Sequence, residues 1–381
     1  MRYQLANLPI QSLFEPVSAA TAAMTRLDER IAQSELRDGW VSRCHFADAC
    51  ASLWVDGELV HLEDLVLHDA TMGVRAPSHE VTIASDILRT RRRIASHEAA
   101  WAISPEGLRN LRRQAGDMGF EEFGVAPELK SVAFGATTGT LDSDDDEGTA
   151  ADDLFARQLA EMDRVLARSS ALLSGASANP SLRAGRGGDV RDPLLYEDDW
   201  DEDERLAEWQ TVVAETEGLP GVLRAALCLD AWEELRVLQH APWLGRLLAS
   251  SLLRQNGLTT VHLAAFSVGL KQIGRERRTS RKRDVRLLAF VEALRLTAET
   301  GLKEHDRLVL ANRQLQLRLE GRRSSSKLPQ LVELVLARPM VSSGMIAEEL
   351  GVTAQGALKI AAELHLRELT GRGRFRAWGI V

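Results

Sequence analysis

Thr353, Gln355 and Lys359 are the residues of this chain best suited to reading a base edge: short or long polar side chains, one of them basic, at the start of a predicted helix. Shortly after them Arg372, Arg374 and Arg376 recur at alternate positions, a pattern fit to meet phosphates or the minor groove. Together they imply contact with double-stranded DNA. The competing reading is a small folded module used for protein contacts, with its arginines merely solvated.

The elements that would hold these residues are legible around them. Residues 328–337 form a short apolar helix that Pro339 prevents from continuing. Ser342 and Ser343 cap a second helix over 344–350, Gly351 supplies a turn, and Thr353 caps a third over 354–365. Ala347, Leu350, Val352, Leu358 and Leu364 have the spacing of a helix-turn-helix core. Gly371 and Gly373 suit a tight hairpin, so the tail reads as a β wing.

Other constellations carry less. Cys44 and Cys50 have His45 beside them but no second ligand pair, so no metal site is expected. Gly185-Arg-Gly-Gly188 lacks the lysine, the preceding strand and the following helix of a phosphate-cradling loop. Arg89, Arg91, Arg92 and Arg93 cluster on one helix and read as a solvated face, with nucleic acid or the acidic linker as the sharper alternative. Six of the nine residues from 275 to 283 are basic, and beside a DNA-binding module they suit a backbone clamp.

Upstream, apolar periodicity predicts helices over 16–38 (closed by Gly39), 42–55 (closed by Asp56-Gly57), 63–67, 82–95 and 101–111. After Pro220 it predicts helices to Leu235, over 243–255 and 261–273, and then over 284–300 and 304–319, parted by Gly301. Between them, residues 142–148 and 197–204 carry 12 acidic side chains and no basic one, and read as mobile linker around a helix at 152–174. Such a tether could compete with DNA for the basic segments.

Composition bounds the rest. The 381 residues are 45% apolar and 5% aromatic with 11 prolines, which favours helix over strand in two or three domains. A net charge of −8 hides an asymmetry: residues 142–217 hold 21 acidic residues against seven arginines, whereas residues 271–381 hold 22 basic against 12 acidic. The basic third is the one carrying the helix-turn-helix pattern. No window approaches 18 uncharged apolar residues, so no membrane partner is expected. Three cysteines and the absence of a secretory leader fit a cytoplasmic location.

From Pro220 onward the chain resembles the C-terminal half of Fic (filamentation induced by cAMP) proteins, many of which end in a winged helix. The likeness rests on Leu219-Pro-Gly-Val-Leu-Arg-Ala-Ala-Leu227, on Gly245-Arg-Leu-Leu-Ala249 with Leu252-Leu-Arg-Gln-Asn-Gly-Leu258, and on Leu319-Glu-Gly-Arg-Arg-Ser-Ser325. Ser52-Leu-Trp-Val-Asp56-Gly57 resembles the family's inhibitory motif, which marks Ser52, Asp56 and Gly57 as its remnant. The family's HPFxDGNGR loop is replaced by Arg236-Val-Leu-Gln-His-Ala-Pro-Trp-Leu-Gly-Arg246. Arg236 stands where the base belongs and stays protonated, and no acid for a metal and no glycine-rich cradle remain. His240 is the nearby imidazole that could act as a displaced base. The chain is also similar to a bacterial, often plasmid-borne, group of helix-turn-helix proteins.

The expectation is therefore a mainly α-helical protein: an N-terminal helical region at 1–135, an acidic insert at 136–205, a degenerate Fic-like region at 206–321 and a winged helix-turn-helix at 327–381. It implies a DNA-binding transcription regulator without cofactor, metal or catalytic residue, whose body supplies dimerisation or a partner or ligand surface. The alternatives are a nucleotide-dependent enzyme with a drifted site, and an antitoxin-like module that donates residues 52–57.

Overall fold

Leucine and alanine at helical spacing dominate the apolar set, and helices account for nearly all the regular structure. The computed structural model describes residues 3–6, 8–71, 76–116, 200–320, 327–370 and 376–380. The acidic run 142–148, the helix expected at 152–174, the glycine-rich loop at 185–188, the junction at 322–326, and Arg372 and Arg374 lie outside them.

The N-terminal part comprises α1 (Ile10–Ala32), α2 (Arg37–Asp56), α3 (Leu62–Asp69), α4 (His79–Ser96), a 3-10 turn (Trp101–Ile103) and α5 (Pro105–Gly116). After the insert come α6 (Glu202–Glu215), α7 (Gly221–Leu235), α8 (Leu244–Gln255), α9 (Phe266–Leu270), the single turn α10 (Arg275–Arg278) and α11 (Arg283–Leu319). The described residues belong to one compact unit. Its axis is α11, against which α1, α7 and α9 pack, and α2 also touches it. The regions on either side of the insert thus share one core.

Two glycines read as helix ends serve close packing instead. Gly301 sits inside a continuous 37-residue α11 rather than between two helices. A Cβ there would stand 2.9 Å from Leu27 Cδ2 and 3.0 Å from Trp40 Cζ2. Its carbonyl accepts a hydrogen bond from Trp40 Nε1 at 3.0 Å. Gly39 lies within α2, not beyond α1, and a Cβ on it would be 2.6 Å from the Leu336 carbonyl oxygen. Gly57 does close α2, with a left-handed φ of 98°.

Three further expectations are corrected by burial. The helix foreseen at 261–273 shrinks to α9, because buried carboxylates take the preceding backbone amides. Asp28 accepts from Thr260 N at 2.8 Å and Val261 N at 3.3 Å, with His262 Nδ1 3.0 Å away. Burial alone would raise the Asp28 pKa, but these bonds hold it down at about 2. Asp48 accepts from Ser267 N at 2.7 Å and Val268 N at 3.3 Å, which caps α9.

The arginine cluster of α4 is a solvated face only in part: Arg89 and Arg93 are exposed, whereas Arg91 and Arg92 are built into the fold. Arg91 is fully buried, paired with Asp48, and donates to Leu263 O at 3.0 Å and Ala264 O at 3.3 Å. Arg92 binds Asp69 through both terminal nitrogens, and Arg93 lies over the Trp101 ring. Helical spacing showed the cluster, but only the tertiary partners reveal that it ties α4 to α2, α3 and the segment before α9. The end of the acidic insert is likewise built in: Trp200 is buried beneath Arg205, 3.5 Å from its ring centroid. Asp201 caps α6, and the buried Glu202 carboxylate lies 3.4 Å from both Arg112 Nη2 and His240 Nδ1. Residues 200–204 are structural, not linker.

Candidate nucleic-acid interface

The C-terminal region opens with α12 (Leu328–Ala337), followed by β1 (Val341–Ser342), α13 (Ser343–Leu350), α14 (Ala354–Glu363), β2 (Arg367–Glu368) and β3 (Ala377–Gly379). The strands form one antiparallel sheet in the order β1-β3-β2, registered by Val341 opposite Trp378 and Arg367 opposite Gly379. Ser342 Oγ caps α13 by accepting from Met345 N at 3.2 Å, and Gly351 ends that helix at φ 61°. Thr353 Oγ1 accepts from Gly356 N at 3.1 Å and starts α14. These caps are the ones the residue types demand.

Ala357, Ala361 and Leu364 bury one side of α14 against the helices before it. Its outer side exposes Thr353, Gln355, Lys359 and Ala362. Gln355 and Lys359 are one turn apart and so stand side by side on an open face. The structure thus brings together the three helix residues singled out from sequence. Thr353 is committed in part to its capping bond.

The described part of the wing is less free than its composition implies. Arg376 is exposed but donates to Glu368 Oε2 from Nε at 2.9 Å and from Nη2 at 2.7 Å, with its guanidinium 5.5 Å from the Trp378 ring centroid. The pair ties β2 to the segment that leads into β3, and it sets a carboxylate against the guanidinium.

The basic run 275–283 is divided. Arg278 is buried and donates to Ile273 O at 3.1 Å, and Arg283 donates to Gln4 O at 2.5 Å and Tyr3 Oη at 2.9 Å. Arg275, Arg277, Arg281 and Lys282 are exposed. They precede the first residue of α11, whereas α14 meets the other end of that helix at Arg318, about 50 Å away along the axis at about 1.5 Å per residue. The run is therefore not beside the recognition helix as the clamp reading required.

Ser52 and Asp56 lie on the last turns of α2 and converge on Arg246 of α8. Arg246 Nη1 donates to Asp56 Oδ1 at 2.9 Å, and Nη2 donates to Asp56 Oδ2 at 2.5 Å and Ser52 Oγ at 2.8 Å. His240 stands apart from them, beside Glu202. Among the described residues no group of three or more histidines, cysteines or carboxylates is placed to hold a metal. No described helix is long and apolar enough to cross a membrane. Burial pushes the Cys44 thiol up to about 12 and the Cys50 thiol up to about 11, so both are protonated near neutrality.

Comparison with known proteins agrees with this layout. Residues 328–381 match the family described as an HTH DNA binding domain, and residues 194–320 match one described as protein of unknown function (DUF1612). The protein called "Uncharacterized protein y4cF" from Sinorhizobium fredii (strain NBRC 101917 / NGR234) is 53% identical over 383 residues, spanning the whole of both chains. The chain belongs to the family of that Sinorhizobium protein. In this chain a mainly α-helical body precedes the HTH-matching region, whose helices and small sheet have the layout of a winged helix.

Sequence reasoning missed the residues that seat the winged helix on that body. Arg43 of α2 donates to the Leu336 carbonyl at 3.1 Å and the Val335 carbonyl at 2.6 Å, closing the C-terminus of α12. Burial lowers its pKa to about 10, still charged at neutrality. Arg318 of α11 donates to the Leu364 carbonyl at 2.5 Å and the His365 carbonyl at 3.3 Å, closing α14. Cations at helix C-termini satisfy orphan carbonyls and complement the dipole. Gly39 lets α2 approach Leu336 closely enough for this seat to form. Gly39→Ala is expected to cost about 1–3 kcal/mol by forcing α2 and α12 apart. Urea unfolding would report the loss, with faster amide exchange in α12 than in α1.

Proposed function

We propose that the protein is a transcription regulator that binds specific DNA sites through its winged helix. The observation carrying this reading is the match of residues 328–381 to an HTH DNA binding domain, on a fold whose α14 presents Gln355 and Lys359 on one open face. The partner is double-stranded DNA, read by Thr353, Gln355 and Lys359, with Arg372, Arg374 and Arg376 serving the backbone. A dimer would read two half-sites. A cytoplasmic location follows from that partner.

The body is read as Fic-like and without catalysis. In its support, Ser52 and Asp56, the residues resembling the inhibitory motif, meet Arg246, and a permanently charged arginine holds the position of the base. The same contacts weigh against an antitoxin-like role, since the 52–57 segment is engaged within its own chain.

Selection of fragmented genomic DNA by the purified full chain at low salt, followed by sequencing, tests the DNA reading. A recurring motif is expected, with binding that falls steeply as salt rises. Folded protein that enriches no fragment at low salt would overturn it.

A further inference from the structure

The segment from Arg275 to Arg283 is fixed in place by arginines that turn inward. Arg278 is buried and donates to Ile273 O, and Arg283 reaches Gln4 O and Tyr3 Oη. From the first turn of α11, Arg286 donates to Ser280 O at 2.9 Å, while Asp230 and Glu234 hold its guanidinium. Between these anchors Arg275, Arg277, Arg281 and Lys282 are exposed. None of the four forms an ion pair or a side-chain hydrogen bond with another described residue. Other guanidiniums of the body are answered: Arg91, Arg92 and Arg246 by carboxylates, Arg43 and Arg254 by helix-end carbonyls.

Unanswered cations crowded on a pinned loop repel one another and attract polyanions. The acidic residues nearby do not cancel them. Glu276 and Asp284 sit in the first turns of α10 and α11, where the helix dipole favours a carboxylate. Glu292, which feels the charge of Arg277, is already bound by Arg295 through Nε at 3.1 Å and Nη2 at 2.6 Å. Guanidinium forks match phosphate oxygens, which points to a phosphate-bearing partner. The aromatic rings beside the loop are taken: Lys271 and Arg278 each lie 5.6 Å from the Trp54 centroid, and Arg283 lies 4.6 Å from that of Tyr3. Single strands need open rings on which to stack their bases, whereas a duplex offers its phosphates without that need.

Resting on the DNA reading above, we infer that this loop is a second duplex-contact surface, which grips the sugar–phosphate backbone without regard to sequence. It stands at the N-terminal end of α11, about 50 Å along the axis, at about 1.5 Å per residue, from the Arg318 contact with α14. One chain then touches DNA at two separate places. The winged helix reads, and the loop of the body holds.

The test uses the full chain, titrated over a salt series against selected and scrambled duplexes. A variant combining Arg275→Ala, Arg277→Ala, Arg281→Ala and Lys282→Ala should lose at least tenfold in affinity for both duplexes at low salt. Its slope of log affinity against log salt should flatten by about three units, at about 0.9 per lost phosphate contact. Discrimination between the two duplexes should stay as in the wild type. The variant should melt at the same or a higher temperature, since the repulsion is relieved. A charge-matched pair separates a surface from net charge: Arg281→Ala with Lys282→Ala should weaken binding several times more than Arg26→Ala with Lys303→Ala, two exposed cations elsewhere. Amides of 275–283 should exchange more slowly once scrambled duplex is added. Equal losses from the two pairs would overturn the inference, as would a fourfold variant with wild-type affinity and slope. Tighter binding of a single strand, or poly-L-glutamate competing as well as duplex, would overturn it too. A wild type that binds no duplex removes the DNA reading and this surface together; one that binds DNA regardless of the four cations removes the surface alone.

Discussion

Asp48→Ala is expected to lower the unfolding free energy by about 3–5 kcal/mol, the largest effect of any single change in the body. Asp48 and Arg91 are both buried, so deleting the carboxylate leaves a guanidinium in the core with only the carbonyls of Leu263 and Ala264 for company. The loss does not end with the charge. Asp48 also receives Ser267 N and Val268 N, so the first turn of α9 loses its cap, and α9 is packed on α11. Asp48→Asn keeps an acceptor and the size but not the charge, and should fall between Ala and wild type. Replacing both partners with apolar residues of similar volume, Asp48→Leu with Arg91→Met, should recover part of the loss, because no uncompensated charge remains. Urea midpoints of the four proteins check this. A loss below about 1 kcal/mol for Asp48→Ala would place the pair among weak surface bridges instead.

Residue types that act locally were readable, and those that act across the fold were not. Ser342, Gly351, Gly57 and Thr353 declared helix ends because a side-chain oxygen or a missing Cβ works within a few residues of chain. The same signals misled at Gly39 and Gly301, where the missing Cβ answers a neighbour far away in sequence. Arg91 and Glu202 were read as solvated because a charge looks solvated until its partner is known, and the partners lie 43 residues away for Arg91 and 90 or 38 for Glu202. The site divides in the same way. Gln355 and Lys359 on one exposed helix face follow from a 3.6-residue period. The carbonyl-capping roles of Arg43 and Arg318 do not, since helix C-termini accept a cation from any direction. Arg236 drew notice for what it replaces, while its left-handed backbone needed coordinates.

Lys359→Ala is expected to cost about 1–3 kcal/mol of discrimination between a selected site and a scrambled duplex, with non-specific binding changed far less. The reasoning starts from how few polar side chains α14 exposes. With Ala362 on the same face and Thr353 committed in part to its capping bond, Gln355 and Lys359 carry most of what the helix can say to a base edge, so neither loss is buffered by neighbours. Gln355→Ala should relax preference at a different position of the site, which sequencing of selected fragments would resolve. The wing should behave in the opposite sense. Arg376→Ala removes a cation already held by Glu368, so its effect on all duplexes should be small and uniform. Glu368→Gln releases that cation and removes a carboxylate from the wing, the surface proposed to meet the DNA backbone. Affinity for every duplex should then rise severalfold, and the slope of log affinity against log salt should steepen by about one unit. Titrations of the four variants against selected and scrambled duplexes over a salt series separate the two behaviours. A Lys359→Ala protein that keeps full discrimination would mean that α14 is not the reading helix, whatever the wing contributes.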